Sequence, residues 1–231
     1  MKPTIMREPD LIQRQWPLGD QPMARLLAMG PDALSDTEIL AVLLRKGSKE
    51  KSAVDLARDV LTRAGSISAV LSLPFLDLGI LSPEALARLY AAQELGKRAL
   101  REKLATGNAL NSPSAVRDYL RMKLQALPHE VFIVLFLDAQ NRVIGSAELF
   151  RGTLTQTSVY PREVVKRALH HNAGAVIFAH NHPSGVAEPS HADETLTQAL
   201  KQALALVDVR VLDHFIVSGS GVLSFAERGL L

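Results

Sequence analysis

Two histidines and an aspartate in the C-terminal half have the residue types and spacing of a metal site. His180 and His182 follow an apolar run, Ala175 to Ala179, that predicts a buried strand. Residues two apart on a strand point to the same face, so both imidazoles can bind one ion. Asp193 follows a Pro/Gly turn and lies one turn into a predicted helix. Two imidazoles and one carboxylate leave one position of a Zn²⁺ ion for water, as in catalytic zinc sites.

Each half of this pattern also has an interpretation that needs no metal. A His-x-His pair alone is a weak signal, and Ser190-x-x-Asp193 is also a capping pattern for a helix N-terminus. The cap and the ligand are compatible, because a cap fixes where the helix starts and therefore where Asp193 points. The complete string of His-x-His, seven residues, Ser, two residues and Asp is far more specific than either half.

The complete string resembles the JAMM motif of the JAB/MPN metalloprotease superfamily. The longer string HNHPSG, followed by Pro189-Ser190 and Asp193, is similar to the bacterial RadC-like family. Further matches to that family are Pro161-Arg162-Glu163, Asp213-His214 and Ser224-Phe225, and the resemblance covers the chain from about Leu26 onward. One position departs from many eukaryotic JAMM peptidases, since Asn181 stands where they have Ser or Thr. The resemblance implies a JAB/MPN-type fold, one Zn²⁺ per chain on His180, His182 and Asp193, and hydrolysis of a peptide or protein amide.

Amide hydrolysis also needs a group that takes a proton from water and returns it to the leaving amine. The candidate carboxylates are Glu130, Glu148, Glu163 and Glu188. Glu130 directly precedes the predicted strand 131–137, and the resemblance favours the same residue, because the JAMM glutamate lies at the start of the first strand. Glu163 is better explained as an acid in a first helical turn. We therefore expect Glu130 to be the general base and acid, and Ser190 to donate a hydrogen bond to the oxyanion.

The same three ligands suit more than one metal, and the sequence contains other histidines besides them. A His-His-carboxylate set also suits non-haem Fe(II), and it is the resemblance, not the spacing, that implies zinc. His170 and His171 lie at a predicted helix end, and His191 is expected on a solvent-facing helix position. His214 is expected to be a hydrogen-bonded core histidine. We leave these four residues out of the ligand set.

Composition excludes several other classes of protein. The 231 residues include no cysteine, which excludes disulfides, thiolate nucleophiles and Cys-ligated zinc. There is no apolar stretch of about 20 residues and no hydrophobic secretory signal, so we expect a cytoplasmic protein with no membrane span. The net charge is only +2, whereas a dedicated nucleic-acid-binding protein has a strong excess of basic residues.

The order of predicted elements indicates two domains. Residues 1–22 contain four prolines and predict an extended arm, and residues 23–103 predict helices, so 1–105 is interpreted as an arm with a small all-helical domain. A polar linker at 105–111 leads into an α/β domain at 109–231, with a mixed sheet flanked by helices. Its strands are predicted at 131–137, 142–150, 152–159, 175–179, 209–217 and 222–225.

The RadC-like family is similar in its N-terminal region to helix-hairpin-helix modules, which bind DNA phosphates through a Gly-rich hairpin. The matching stretch, 78–83, has Gly79 but carries Leu81 in place of the second glycine. A Cβ at that position obstructs the approach of a phosphate, so the module is degenerate and DNA binding is weakly supported. A nucleic-acid-associated, DNA-repair-like protein with a vestigial or structural metal site is the alternative to a hydrolase. The sequence leaves the substrate and the oligomeric state open.

Overall fold

The computed structural model describes residues 21–47, 51–71, 79–109, 113–125, 127–152 and 159–231. Contacts between residues divide the chain into two compact units, 1–95 and 96–231. Most of the predicted arm at 1–22 and of the predicted strand at 152–159 lies outside the described residues. Within the described part of the chain, no helix is both long and apolar enough to cross a membrane.

The first unit is helical, as predicted. Its helices are α1 (Pro22–Met29), α2 (Asp36–Leu44), α3 (Ala53–Ala64), α4 (Ile67–Val70) and the first part of α5 (Pro83–Thr106). Helix α2 begins with a capping box, in which Ser35 and Glu38 each accept a hydrogen bond from the backbone N–H of the other. Gly65, in the left-handed conformation, ends α3.

Residues 79–83 of the stretch that resembles a degenerate hairpin are described and lead directly into α5. Gly79 keeps a left-handed backbone with φ of 59°, and Ser82 caps α5 by accepting a hydrogen bond from the N–H of Ala85 at 3.2 Å. Leu81 packs against the buried cluster that holds this unit together. The leucine in the place of a glycine therefore contributes to the core of the helical unit.

The second unit is an α/β fold around one mixed sheet, as predicted. Its elements after α5 are α6 (Pro113–Leu124), β1 (Glu130–Leu137), β2 (Val143–Gly152), α7 (Pro161–His170), β3 (Ala175–His182), α8 (His191–Ala205), β4 (Arg210–Ser218), β5 (Gly221–Ser224) and α9 (Phe225–Arg228). The strand order is β2-β1-β3-β4-β5. Only the β3–β4 pair is parallel among these described strands, and the other three pairs are antiparallel.

Alternation along the strands gives the sheet two buried faces. Helix α6 covers one face, where Ile133 and Ile177 pack, and α7 and α8 cover the other, where Phe132 and Phe178 pack. Because His180 and His182 alternate in step with Phe178, both lie on the face that α8 covers. The first turn of α8 is thereby brought to the carboxyl end of β3.

Candidate metal centre

The three predicted ligands come together at the carboxyl end of β3. One ligand atom each from His180, His182 and Asp193 lies within 4.8 Å of the others. The Nε2 atom of His180 is 2.9 Å from Nε2 of His182 and 3.3 Å from Oδ1 of Asp193. Two imidazole nitrogens and one carboxylate oxygen around one point are donors that zinc prefers. The residues therefore fit a single divalent metal ion.

The helix cap that the sequence predicts positions the aspartate. The N–H and the hydroxyl of Ser190 both donate to Oδ2 of Asp193, at 2.8 and 2.7 Å, and the Ser190 hydroxyl accepts from the Asp193 N–H at 3.2 Å. With Oδ2 held by these two donors, Oδ1 is the oxygen directed at His180. The capping box thus uses Oδ2, which is also 3.7 Å from Nε2 of His182, and leaves Oδ1 facing His180.

Electrostatics keep the aspartate ionised. Burial alone would raise the pKa of Asp193, but the imidazoles of His182 and His180 and the two Ser190 hydrogen bonds outweigh it and hold this pKa well below its usual range. An ionised carboxylate is the form that binds a cation. Asp193 is only 3% exposed, so water screens its charge weakly.

The two histidines have opposite shifts because their surroundings differ. Burial, together with the charge of His182, lowers the pKa of His180 to about 4, against the opposing attraction of Asp193. His182 is partly exposed, and its interaction with the Asp193 carboxylate raises its pKa, with further help from the Val186 carbonyl and the Glu130 carboxylate. His180 is therefore a neutral donor over a wide pH range, whereas His182 must lose a proton before it binds a metal.

The orientation of His182 is set by the loop that follows β3. Its Nδ1 lies 3.0 Å from the carbonyl oxygen of Val186. A carbonyl can only accept, so Nδ1 carries the proton and donates. The Nε2 atom is then the nitrogen left for a metal ion, and it is also the one that faces His180 and Asp193.

Glu130 stands on the same face of the sheet as the two histidines. Phe132 of β1 pairs with His180 of β3, and their rings stack at a centroid distance of 6.3 Å. Phe132–His180 is the last pair of the β1–β3 ladder, and alternation along β1 puts Glu130 on the same face as Phe132. The Glu130 carboxylate contributes to raising the pKa of His182, which is consistent with this proximity.

Asn181, which stands between the two histidines, points to the other face and holds the start of β1. Its Oδ1 accepts from the Val131 N–H at 2.8 Å. Its Nδ2 donates to the carbonyls of His129 at 3.0 Å and Leu127 at 3.3 Å. These bonds fix the backbone on both sides of Glu130. No local pattern in the sequence predicts this role.

The other acidic candidates lie elsewhere. Glu148 pairs with Ile133 and so faces α6, away from the metal centre. Glu188 forms an ion pair with Arg228 at 3.1 Å, and Glu163 lies in the first turn of α7. Of the four candidates, Glu130 alone is placed by its strand register beside the histidine cluster.

The histidines left out of the ligand set behave as expected, and one of them does more. His191 is exposed at the start of α8, and His171 follows the end of α7, where it stacks on Phe136 at 4.4 Å. His214 is the expected hydrogen-bonded core histidine, but its partner is His180 itself, at 2.8 Å. Neither this contact nor Thr197, its other partner, could be inferred from local spacing.

Comparison with known proteins gives a consistent assignment for both parts of the chain. Residues 110–230 match the family described as RadC-like JAB domain, and residues 13–82 match the family described as UPF0758 N-terminal. A UPF0758 protein of Nitrosospira multiformis is 58% identical over 219 residues, which cover 94% of this chain and 98% of that protein. A UPF0758 protein of Dechloromonas aromatica is 59% identical over 221 residues, with the same coverage of 94% and 98%. With a JAB domain over its second half and relatives alike along nearly their whole length, this chain belongs to the UPF0758 family of RadC-like JAB proteins, within the JAMM superfamily.

Proposed function

We propose that this protein is a zinc-dependent hydrolase of the JAMM class that cleaves amide bonds of peptides or proteins. The observation that carries the proposal is the convergence of His180, His182 and Asp193, with Glu130 on the same face of the sheet. Three protein ligands leave a coordination position open, as catalytic zinc sites require. A vestigial site is expected to have lost ligands, whereas this set is complete.

The ion would be held by Nε2 of His180, Nε2 of His182 and Oδ1 of Asp193. Zinc bound there supplies a Lewis acid that polarises a carbonyl and lowers the pKa of water. The same donors suit Fe(II), so metal identity is part of what must be measured. We also propose that residues 109–231 form the catalytic domain and that 1–105 form an arm and a helical domain.

Glu130 is assigned the proton transfers. Its carboxylate takes a proton from the attacking water and returns it to the leaving nitrogen of the cleaved amide. The clamp from Asn181 on the neighbouring backbone restricts where this carboxylate can stand. Orientation of this kind is a main source of the rate that an enzyme gains over solution.

Ser190 is assigned to the oxyanion. In the present arrangement its hydroxyl proton is donated to Asp193, so this role requires the hydroxyl to rotate toward the substrate. Asp193 keeps the Ser190 N–H as a donor to the same oxygen. One donor to an oxyanion is commonly worth about 3 kcal/mol of transition-state stabilisation.

The first experiment is metal analysis of the purified wild type, His180→Ala and Glu130→Gln. We expect about one equivalent of zinc in the wild type and in Glu130→Gln, because the glutamate is not a ligand, and none in His180→Ala. A wild type that takes up neither zinc nor Fe(II) would refute the metal site.

The second experiment tests catalysis with the same proteins. Each is incubated with peptides prepared from a bacterial proteome, and new termini are identified by mass spectrometry. We expect cleavage by the zinc-loaded wild type and none by Glu130→Gln. Cleavage by Glu130→Gln at the wild-type rate would overturn the assigned base, and a zinc-loaded wild type that cleaves nothing would overturn the peptidase.

A further inference from the structure

Two buried polar side chains behind His180 have no part in the proposed chemistry so far. Thr197 and His214 both have no exposed surface. The Nδ1 atom of His214 lies 2.6 Å from the Thr197 hydroxyl, and its Nε2 lies 2.8 Å from Nδ1 of His180. The Thr197 hydroxyl is also 2.6 Å from the carbonyl oxygen of Asp193. These contacts form one hydrogen-bonded chain from the backbone of one proposed ligand to the ring of another.

The direction of every hydrogen bond in this hydrogen-bonded chain follows from the group at its first end, the carbonyl of Asp193. The Asp193 carbonyl can only accept, so Thr197 donates its single proton there. Toward His214 the same hydroxyl must then accept, which places a proton on Nδ1 of His214. In a neutral ring the Nε2 of His214 is consequently an acceptor, and Nδ1 of His180 must be the donor. The one nitrogen of His180 left without a proton is Nε2, which faces His182 and Asp193.

The fold places His214 there by a local irregularity. The β3–β4 register shifts so that Val176 pairs with Val211 and Ile177 with Asp213. The extra residue in β4 turns His214 onto the face of Phe178 and His180, a known use of a bulge. The Asp213 carboxylate secures this point by accepting from the N–H groups of His214 at 2.7 Å and Ala226 at 2.9 Å.

Packing then holds the ring in place. Phe225, the first residue of α9, lies against His214 with ring centroids 4.7 Å apart, and Phe132 meets it edge-on at 5.6 Å. The two motifs Asp213-His214 and Ser224-Phe225, which match the RadC-like family, therefore meet at this histidine. Both serve the orientation of one imidazole.

We propose that Thr197 and His214 are positioning residues that fix His180 as the Nδ1–H tautomer, so that its Nε2 is permanently available to a metal ion. This inference rests on the proposed metal site, and neither residue touches the ion or the substrate. An imidazole in water divides its proton between both nitrogens. Loss of the hydrogen-bonded chain would therefore let His180 take the tautomer that cannot bind a metal ion through Nε2. Residues of this kind commonly change metal affinity by about 10–100-fold.

The tautomer is measured first, without metal and without substrate. In metal-free wild type with ¹⁵N-labelled histidine, two-bond ¹H–¹⁵N spectra at about pH 8, above the usual pKa of histidine, distinguish protonated from unprotonated ring nitrogens. We expect His180 and His214 both to carry their proton on Nδ1. A proton on Nε2 of His180 in this spectrum overturns the proposal.

Affinity for zinc alone is measured next by competition with a chromogenic chelator. Thr197→Val keeps the volume but removes the hydroxyl, and Thr197→Ser is the matched control that keeps it. We expect the Kd for zinc to rise about 10–100-fold in Thr197→Val and to change by less than about threefold in Thr197→Ser. Equal affinity in Thr197→Val and the wild type overturns the proposal.

The two measurements separate this proposal from the function on which it rests. A wild type with the expected tautomers that binds neither zinc nor Fe(II) refutes the metal site and leaves the hydrogen-bonded chain established. A wild type that binds zinc but has the His180 proton on Nε2 refutes only the proposed role of the hydrogen-bonded chain. Circular dichroism of both Thr197 variants shows whether the overall helical content of the protein is preserved.

Discussion

Replacing Asn181 by alanine is expected to detach the start of β1 from the end of β3 while leaving the metal ligands in place. The side chain is 1% exposed and makes three hydrogen bonds to backbone groups on either side of Glu130. All three partners lose a bond in Asn181→Ala. His180 and His182 keep their own contacts, because they point to the opposite face of the strand.

The cost can be worked out from the burial of each partner. The Val131 N–H belongs to a residue that is 2% exposed, so losing its acceptor costs about 1–3 kcal/mol. The carbonyls of Leu127 and His129 belong to half-buried residues and can reach water, which reduces their share to about 0.5–1.5 kcal/mol each. The expected loss is therefore about 2–6 kcal/mol in the free energy of unfolding.

Urea denaturation measures the total, and hydrogen exchange locates it. A matched control is Leu120→Ala, which removes a fully buried side chain of α6 at a similar cost of about 2–5 kcal/mol but, because leucine is apolar, removes no hydrogen bond to the backbone beside Glu130. We expect exchange over 127–132 to accelerate more in Asn181→Ala than in the control, with one zinc bound in both. Hydrolysis of any peptide that the wild type cleaves should fall only in Asn181→Ala. A stability loss below about 1 kcal/mol, or equal exchange in the two variants, would refute the reasoning.

Three further predictions concern the metal ligands. Because its interaction with Asp193 raises the pKa of His182, zinc binding should release a proton from it, and the Kd should rise up to about tenfold per unit of falling pH below that pKa; titration calorimetry in buffers of different ionisation heat measures the proton. In the metal-free protein, burial lowers the pKa of His180 to about 4. The contribution of His180 to the free energy of unfolding is therefore complete above about pH 6.5 and falls by about 3 kcal/mol as the pH drops toward 4. Urea denaturation of the wild type and of His180→Gln over this pH range measures the contribution as the difference between the two proteins. Ser190→Ala should cost about 1 kcal/mol through the lost cap and weaken zinc binding, because Asp193 loses a donor that orients it; Ser190→Thr is the control that keeps the hydroxyl.

The sequence was sufficient for the elements that carry the site and for the atoms that converge there. Strand β3 could be predicted because its apolar run is bounded by turn residues, and α8 because Ser190 and Asp193 form a cap. These two local signals already place His180, His182 and Asp193 within reach of one ion. The predicted role of Glu130 is still a prediction, and β1 begins at Glu130 itself, one residue before the predicted start of the strand.

The contacts that the sequence could not predict are those that depend on the register of the paired strands. Asn181 bonds to residues at least 50 positions earlier in the chain, and His214 reaches His180 across 34 positions. A bulge shifts a side chain to the other face of a sheet without leaving a local signal in the sequence, so the face of His214 had no predictor. The sequence predicted that His214 has a hydrogen-bond partner in the core, but it could not predict which residue that partner is.

The alternation of β3 explains why one short strand end can serve both halves of the proposed chemistry. His180 and His182 project to the α8 face and meet Asp193, whereas Asn181 between them projects to the α6 face and fixes the backbone beside Glu130. The separation of the base from the metal ligands is consequently set by backbone hydrogen bonds and strand pairing, not by a flexible side chain. A Ser or Thr at this position has one hydroxyl proton and could not make all three bonds of the carboxamide. In this chain the middle residue of His-x-His is therefore a structural link between the proposed base and the proposed ligands, and its replacement should affect hydrolysis before it affects the metal.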